Sequence, residues 1–122
     1  MTNYRYHNAN PKQIEEEDCV CRAISTSLGI SYPAAKNLLE MSADVNGCDA
    51  LCVCCYNHLL EWIFELPRYD CHFNYTVREI AKDHRKDRVI IRVEGHLTCS
   101  IYGAVLDIWD CTDELVDCFW VV

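Results

Sequence analysis

Three residues far apart in this chain carry the chemistry of a nucleophile and its activators. They are Cys19, directly after Asp18 at the head of an apolar helical pattern; His96, after Gly95 at the opening of a strand; and Asp107, beyond the next turn. A thiol attacks well only as thiolate, and a helix N-terminus supplies the partial positive charge and N–H groups that favour that anion. A nearby imidazole completes the activation, and a carboxylate fixes its tautomer. In such a triad Cys19 attacks an acyl carbon, His96 takes the proton and later returns it to the leaving group, and Asp107 holds the ring. Gln13, six residues before Cys19, is expected to point its amide N–H at the developing oxyanion beside the Cys19 backbone N–H. The same spacing is equally compatible with a buried helix cysteine, a satisfied strand histidine and a solvated carboxylate.

The elements that would position these side chains follow from periodicity. Residues 1–17 carry Asn3, Asn8, Asn10 and Pro11 and then an acidic run, the composition of an extended N-terminal arm. Asp18 is the expected N-cap of a helix over Cys19 to Leu28, ended by Gly29. Ser31 caps a second helix over about Tyr32 to Ser42, with Ala35, Leu38, Leu39 and Met41 inward. Cys52, Cys55, Leu59, Trp62, Ile63 and Leu66 recur at helical steps over Asp49 to Glu65, and Pro67 stops them. Thr76 caps a fourth helix to about His84. From Val89 the period becomes two, and His96 to Ile101, Ala104 to Trp109 and Val116 to Val122 read as further strands. Helices first and strands last predict a single α+β domain over residues 1–122, its N-terminal helices packed on a C-terminal antiparallel β-sheet. Tyr102-Gly103 reads as a two-residue hairpin turn. Counting outward from it puts Asp107 on the sheet face of His96, one diagonal step away, and Asp110 on the other face unless a bulge intervenes.

Composition narrows the classes. The 122 residues, 51% hydrophobic, suffice for one core and are few for two domains. A net charge of −8 with no basic stripe argues against nucleic acid as a partner. No uncharged stretch approaches the ~20 residues of a membrane helix, and residues 1–11 lack an apolar signal core. No membrane association and a cytoplasmic location are therefore expected, with most of the ten cysteines reduced. The acidic residues from Asp107 to Asp117 lack the turn glycine and spacing of a calcium loop.

Asp18-Cys19-Val20-Cys21-Arg22-Ala23-Ile24-Ser25, Gly95-His96-Leu97 and Leu106-Asp107-Ile108-Trp109-Asp110 together resemble the small papain-like cysteine peptidase-fold proteins encoded by phages and in bacterial genomes. The resemblance covers most of the chain. It implies a papain-like fold, Cys19 as nucleophile, His96 as base, Asp107 as orienter, and Gln13 as the glutamine that precedes the cysteine. It also implies a peptidase, isopeptidase or amidase acting on a protein or peptide through a thioester, with no cofactor. Cys21-Arg22-Ala23-Ile24-Ser25 itself resembles the papain-type Cys-Trp-Ala-Phe-Ser segment, which makes Cys21 a rival nucleophile. A second reading keeps the fold without catalysis, as an accessory protein that holds a partner in its cleft or on its acidic surface.

Cys48, Cys52, Cys54, Cys55 and His58 offer enough soft ligands for zinc. All lie along one expected helix, however, with Cys54 pointing away from Cys52 and Cys55, and Cys52 and Cys55 continue the packing stripe. The expectation is therefore that this cluster is metal-free. Trp62, Trp109 and Trp120 are expected to anchor the core or its rim.

Overall fold

In the computed structural model, which describes residues 3–14 and 18–122, the chain is α+β with four α-helices and a six-stranded mixed sheet. In chain order the elements are β1 (Tyr4–Tyr6), α1 (Cys19–Leu28), α2 (Tyr32–Asn46), α3 (Val53–His58) continued by a π-helical turn (Leu59–Ile63), β2 (Arg68–Asp70), α4 (Val77–Asp83), β3 (Arg88–Val93), β4 (His96–Ile101), β5 (Ala104–Asp107) and β6 (Val116–Val121). The sheet order is β1-β5-β4-β3-β6-β2.

The sheet is covered on both faces. Ile90, Leu97, Cys99, Cys118 and Trp120 pack with Ile24, Leu39, Cys55, Leu59 and Leu60 from α1 to α3. Val89, Ile91, Val105, Val116 and Phe119 pack on the other face with Val77, Ile80 and Ala81 of α4. That double cover explains the unbroken apolar run Val89-Ile90-Ile91, since a strand buried on both sides has no polar face to keep. Gly29 and Gly47 close α1 and α2 in the left-handed conformation, each donating its N–H back to the last turn. A full capping box of Thr76 and Glu79 starts α4.

Four expectations are corrected. The sheet is not wholly antiparallel, because β1 runs parallel to β5, with Tyr6 opposite Asp107. The expected extended arm over residues 1–17 instead holds this strand and a knitted turn: Asn8 Nδ2 donates to the Ile14 carbonyl, and the Asn10 N–H donates to Asn8 Oδ1. Residues 15–17 of that arm lie outside the described residues. The third helix is shorter than its apolar stripe, with Cys52 as N-cap, and its end widens to π geometry, where Phe64 N–H reaches the Leu59 carbonyl. One extra residue in that turn rotates the stripe, so Leu59 and Leu60 are both fully buried while Trp62 is 78% exposed. Met41 also faces outward, and Ser42 and Ala43 take the inward positions of α2.

Candidate active site

Cys19 opens α1, and Asp18 stands at the N-cap position without capping through its side chain. Its carboxylate is turned aside: Oδ1 accepts from Arg22 Nε at 2.6 Å, and Oδ2 accepts from Tyr32 Oη at 2.8 Å and Asn10 Nδ2 at 3.1 Å. Among the described residues no side chain caps the first-turn amides of α1, which leaves them for an anion at Cys19.

His96 is the first residue of β4, at the end of the sheet against which the start of α1 packs. The turn Tyr102-Gly103 has positive φ at both residues, 50° and 89°, and pairs Ile101 with Ala104 and Ser100 with Val105. This is the hairpin geometry whose twist suits antiparallel strands. It delivers Asp107 to His96, with His96 Nε2 and Asp107 Oδ2 2.7 Å apart. Bonding of Nε2 to the carboxylate leaves Nδ1 as the ring nitrogen for the thiol, and Cys19 and His96 line the same cleft.

The electrostatics are coupled along this line. Burial would push the Cys19 thiol up, but hydrogen bonds from His96 and the Leu97 backbone, with the charges of His96 and Arg22, more than offset it, so its pKa lies below the ordinary thiol value. Burial would likewise lower the His96 pKa, yet hydrogen bonds to Asp107, Cys111 and Cys19 push it up to about 11. Asp107 is 4% exposed; burial opposes its charge, and its bond to His96 holds it below the usual carboxylate range. All three shifts run toward the charged form of their group, down for the thiol, up for the imidazole and down for the carboxyl.

Cys19, Val20, Arg22, Gly95, His96, Ile108 and Trp109 line a cleft of about 510 Å³. A second opening of about 370 Å³ reaches Cys19 and His96 past Leu51, Cys52, Val53 and Tyr56. Trp109 is part-exposed at the rim, its ring 5.0 Å from the His96 ring at 51°.

Three of the four residues expected to act together are thus brought to one place, Cys19 and His96 lining one cleft and Asp107 bonded to His96. Gln13 is not brought to them. It sits in the turn at positive φ, and Nε2 donates to the backbone carbonyls of Asn8 at 3.0 Å and Asn10 at 2.9 Å. Both of its amide hydrogens are used there, because the arm folds back on itself. The rival Cys21 is 4% exposed, with burial first among the causes that push its thiol up to about 11, and it faces a separate cavity lined by Tyr32, Lys36 and Glu40. Asp110 is exposed and accepts from the backbone and hydroxyl of Thr112.

The sequence reading missed Arg22. Its Nη1 donates to Asp107 Oδ1 at 3.0 Å while its Nε holds Asp18, so one guanidinium ties the start of α1 to the end of β5. The signal was present: Arg22 is four residues after Asp18 and three after Cys19, hence on their helix face. Also missed were Cys111, whose thiol donates to Asp107 Oδ2 at 3.6 Å, and the arm's hold on Asp107, whose carbonyl accepts from Tyr4 Oη and the His7 N–H. The ligand atoms of His96, Asp107 and Cys111 lie within 4.8 Å of one another, but they are already hydrogen-bonded among themselves, so this group serves as a dyad with a supporting thiol.

Comparison with protein-family models, with curated proteins and with solved structures returns no match for this chain. Among the described residues no helix is long and apolar enough to cross a membrane, and no two cysteines are joined.

Proposed function

We propose that the chain is a cysteine-dependent acyl-transfer enzyme with a papain-like arrangement, acting as a peptidase, isopeptidase or amidase. The observation that carries this reading is the convergence of Cys19, at the first position of α1, and His96 on one cleft, with His96 bonded to the buried Asp107 carboxylate. In the forward step the Cys19 sulfur bonds to the acyl carbon, and electron density moves onto the carbonyl oxygen, which the α1 first-turn N–H groups face. The His96 proton passes to the leaving amine, the C–N bond breaks, and a thioester remains. Water, deprotonated by the now neutral His96, attacks that thioester and releases the acid and the thiol. Asp107 keeps Nε2 protonated throughout, and Arg22 keeps Asp107 in place. A protein or peptide fits the cleft as substrate, and a reducing compartment such as the cytoplasm keeps Cys19 competent.

A small activated ester tests the reading without knowledge of the natural substrate. With p-nitrophenyl acetate we expect a burst of about one nitrophenolate per chain and an acetyl group on Cys19 by peptide mass mapping. Cys19→Ser abolishes both. Asp107→Asn keeps the thiol but lowers the burst rate by ~10²- to 10⁴-fold, as in triads whose imidazole loses its tautomer. Acetylation spread over several cysteines, indifferent to His96→Ala, would favour the non-catalytic binding protein instead.

A further inference from the structure

Beyond the catalytic cleft, a second group of thiols converges where α2 ends and α3 begins. The Sγ atoms of Cys48, Cys52 and Cys54 lie within 4.8 Å of one another, with Cys52 and Cys54 2.7 Å apart. This differs from the sequence expectation in two respects. Cys48 and Cys52 are not on a helix face at all, since α3 starts only at Val53, and the Cys54 sulfur turns back toward Cys52 rather than away. Only Cys55, fully buried with its thiol donating to the Leu39 carbonyl, behaves as the expected packing residue.

We propose that Cys48, Cys52 and Cys54 form a zinc site, three thiolates with the fourth position open to solvent water. Zinc–sulfur bonds of about 2.3 Å in a tetrahedron put sulfurs roughly 3.8 Å apart, a separation that the observed cluster accommodates with small side-chain shifts. Caps, not chance, set the backbone beneath the ligands. The Cys48 N–H bonds to the Ala43 carbonyl in the closing turn of α2, the Cys52 N–H bonds to the Asp49 carbonyl, and the Cys52 carbonyl receives Cys55 and Tyr56. Cys48 and Cys52 are half-buried against the main core, while Cys54 is exposed, which gives the ion an entry path. Binding replaces each S–H bond with an S–Zn bond and releases the protons to solvent, with no change of oxidation state.

The site has a structural consequence for the cleft. Leu51, inside the Cys48 to Cys52 loop, lines both openings to Cys19, and Cys52 lines one of them. The ion therefore clips α2 to α3 and fixes the wall that a substrate must pass.

The full chain, reduced with a phosphine and freed of metal, is titrated with Zn²⁺ against a chromophoric chelator and separately with Co²⁺. We expect one ion per chain, thiolate-to-cobalt charge-transfer absorption, and protection of Cys48, Cys52 and Cys54 from alkylation while Cys19 still reacts. Cys54→Ser, at an exposed position where folding is not at stake, should weaken Zn²⁺ by tenfold or more, and Cys48→Ser should do the same. His96→Ala should leave the affinity unchanged. No equimolar binding to the reduced chain, or binding that survives Cys54→Ser and disappears in His96→Ala, would overturn the proposal.

Discussion

At the residue scale, the site rests on one buried cation shared by two buried carboxylates. Arg22, 7% exposed, is positioned by Asp18 and in turn positions Asp107. Pairs of this kind are costly to break from one side, because the partner charge stays buried without compensation. Arg22→Met is therefore expected to lower unfolding free energy by ~3–5 kcal/mol, measured by urea titration. It should also slow acetylation of Cys19, since Asp107 loses the cation that helps hold its charge. A loss below ~1 kcal/mol, the range of surface pairs, would mean that Arg22 is not part of this support. The positions of Cys19, His96 and Asp107 were legible because a helix start, a strand start and a counted hairpin register put them there. Gln13 was misjudged because its backbone turn, built from Asn8 and Asn10 side chains, leaves no periodic trace in sequence.

At the element scale, the two-residue turn between β4 and β5 decides whether His96 meets Asp107. Gly103 has φ of 89°, and an added Cβ would stand 3.0 Å from Arg85 Cγ. Gly103→Ala should cost ~1–2 kcal/mol for the left-handed backbone and also reduce the acetylation rate through a disturbed register. Gly47→Ala is the control: φ is 67° with nothing within 4 Å of a Cβ, so a similar stability loss should leave the rate unchanged. Equal rates in both variants would separate the turn from the chemistry. Most element boundaries were readable, since Gly29, Ser31, Thr76 and the change of period at Val89 are local signals. The three-residue strands β1 and β2 were not, because they are too short for alternation and exist by pairing with β5 and β6. The π turn at Leu59–Ile63 was equally hidden, since Leu59, Trp62 and Ile63 keep α-helical spacing while the backbone does not.

At the scale of the whole molecule, the site couples folding to pH. The Asp107 contribution is present above the unfolded carboxylate value of ~3.9 and lost as pH falls through its depressed folded value. The His96 contribution is complete below ~6.5 and lost as pH rises through its raised folded value. Cys19, whose pKa is depressed, acts in the opposite sense and masks part of that slope. In a Cys19→Ser background, stability from this pair should therefore be greatest between ~4 and ~6.5 and decline on the alkaline side. Adding His96→Ala should flatten that decline, as followed by urea midpoints across pH. An alkaline slope that persists without His96 would assign it to other groups.

If His96 holds Cys19 as a thiolate, the rate of Cys19 alkylation by iodoacetamide against pH, resolved by peptide mass mapping, reads that directly. In the wild-type chain Cys19 should react at mildly acidic pH, well below the ordinary thiol value of ~8.5 and before Cys21. His96→Ala should move the Cys19 profile up toward that ordinary value, with no effect on the rates at Cys52 and Cys54. A Cys19 profile that titrates at or above the ordinary value in the wild type, or that is indifferent to His96→Ala, would contradict the account.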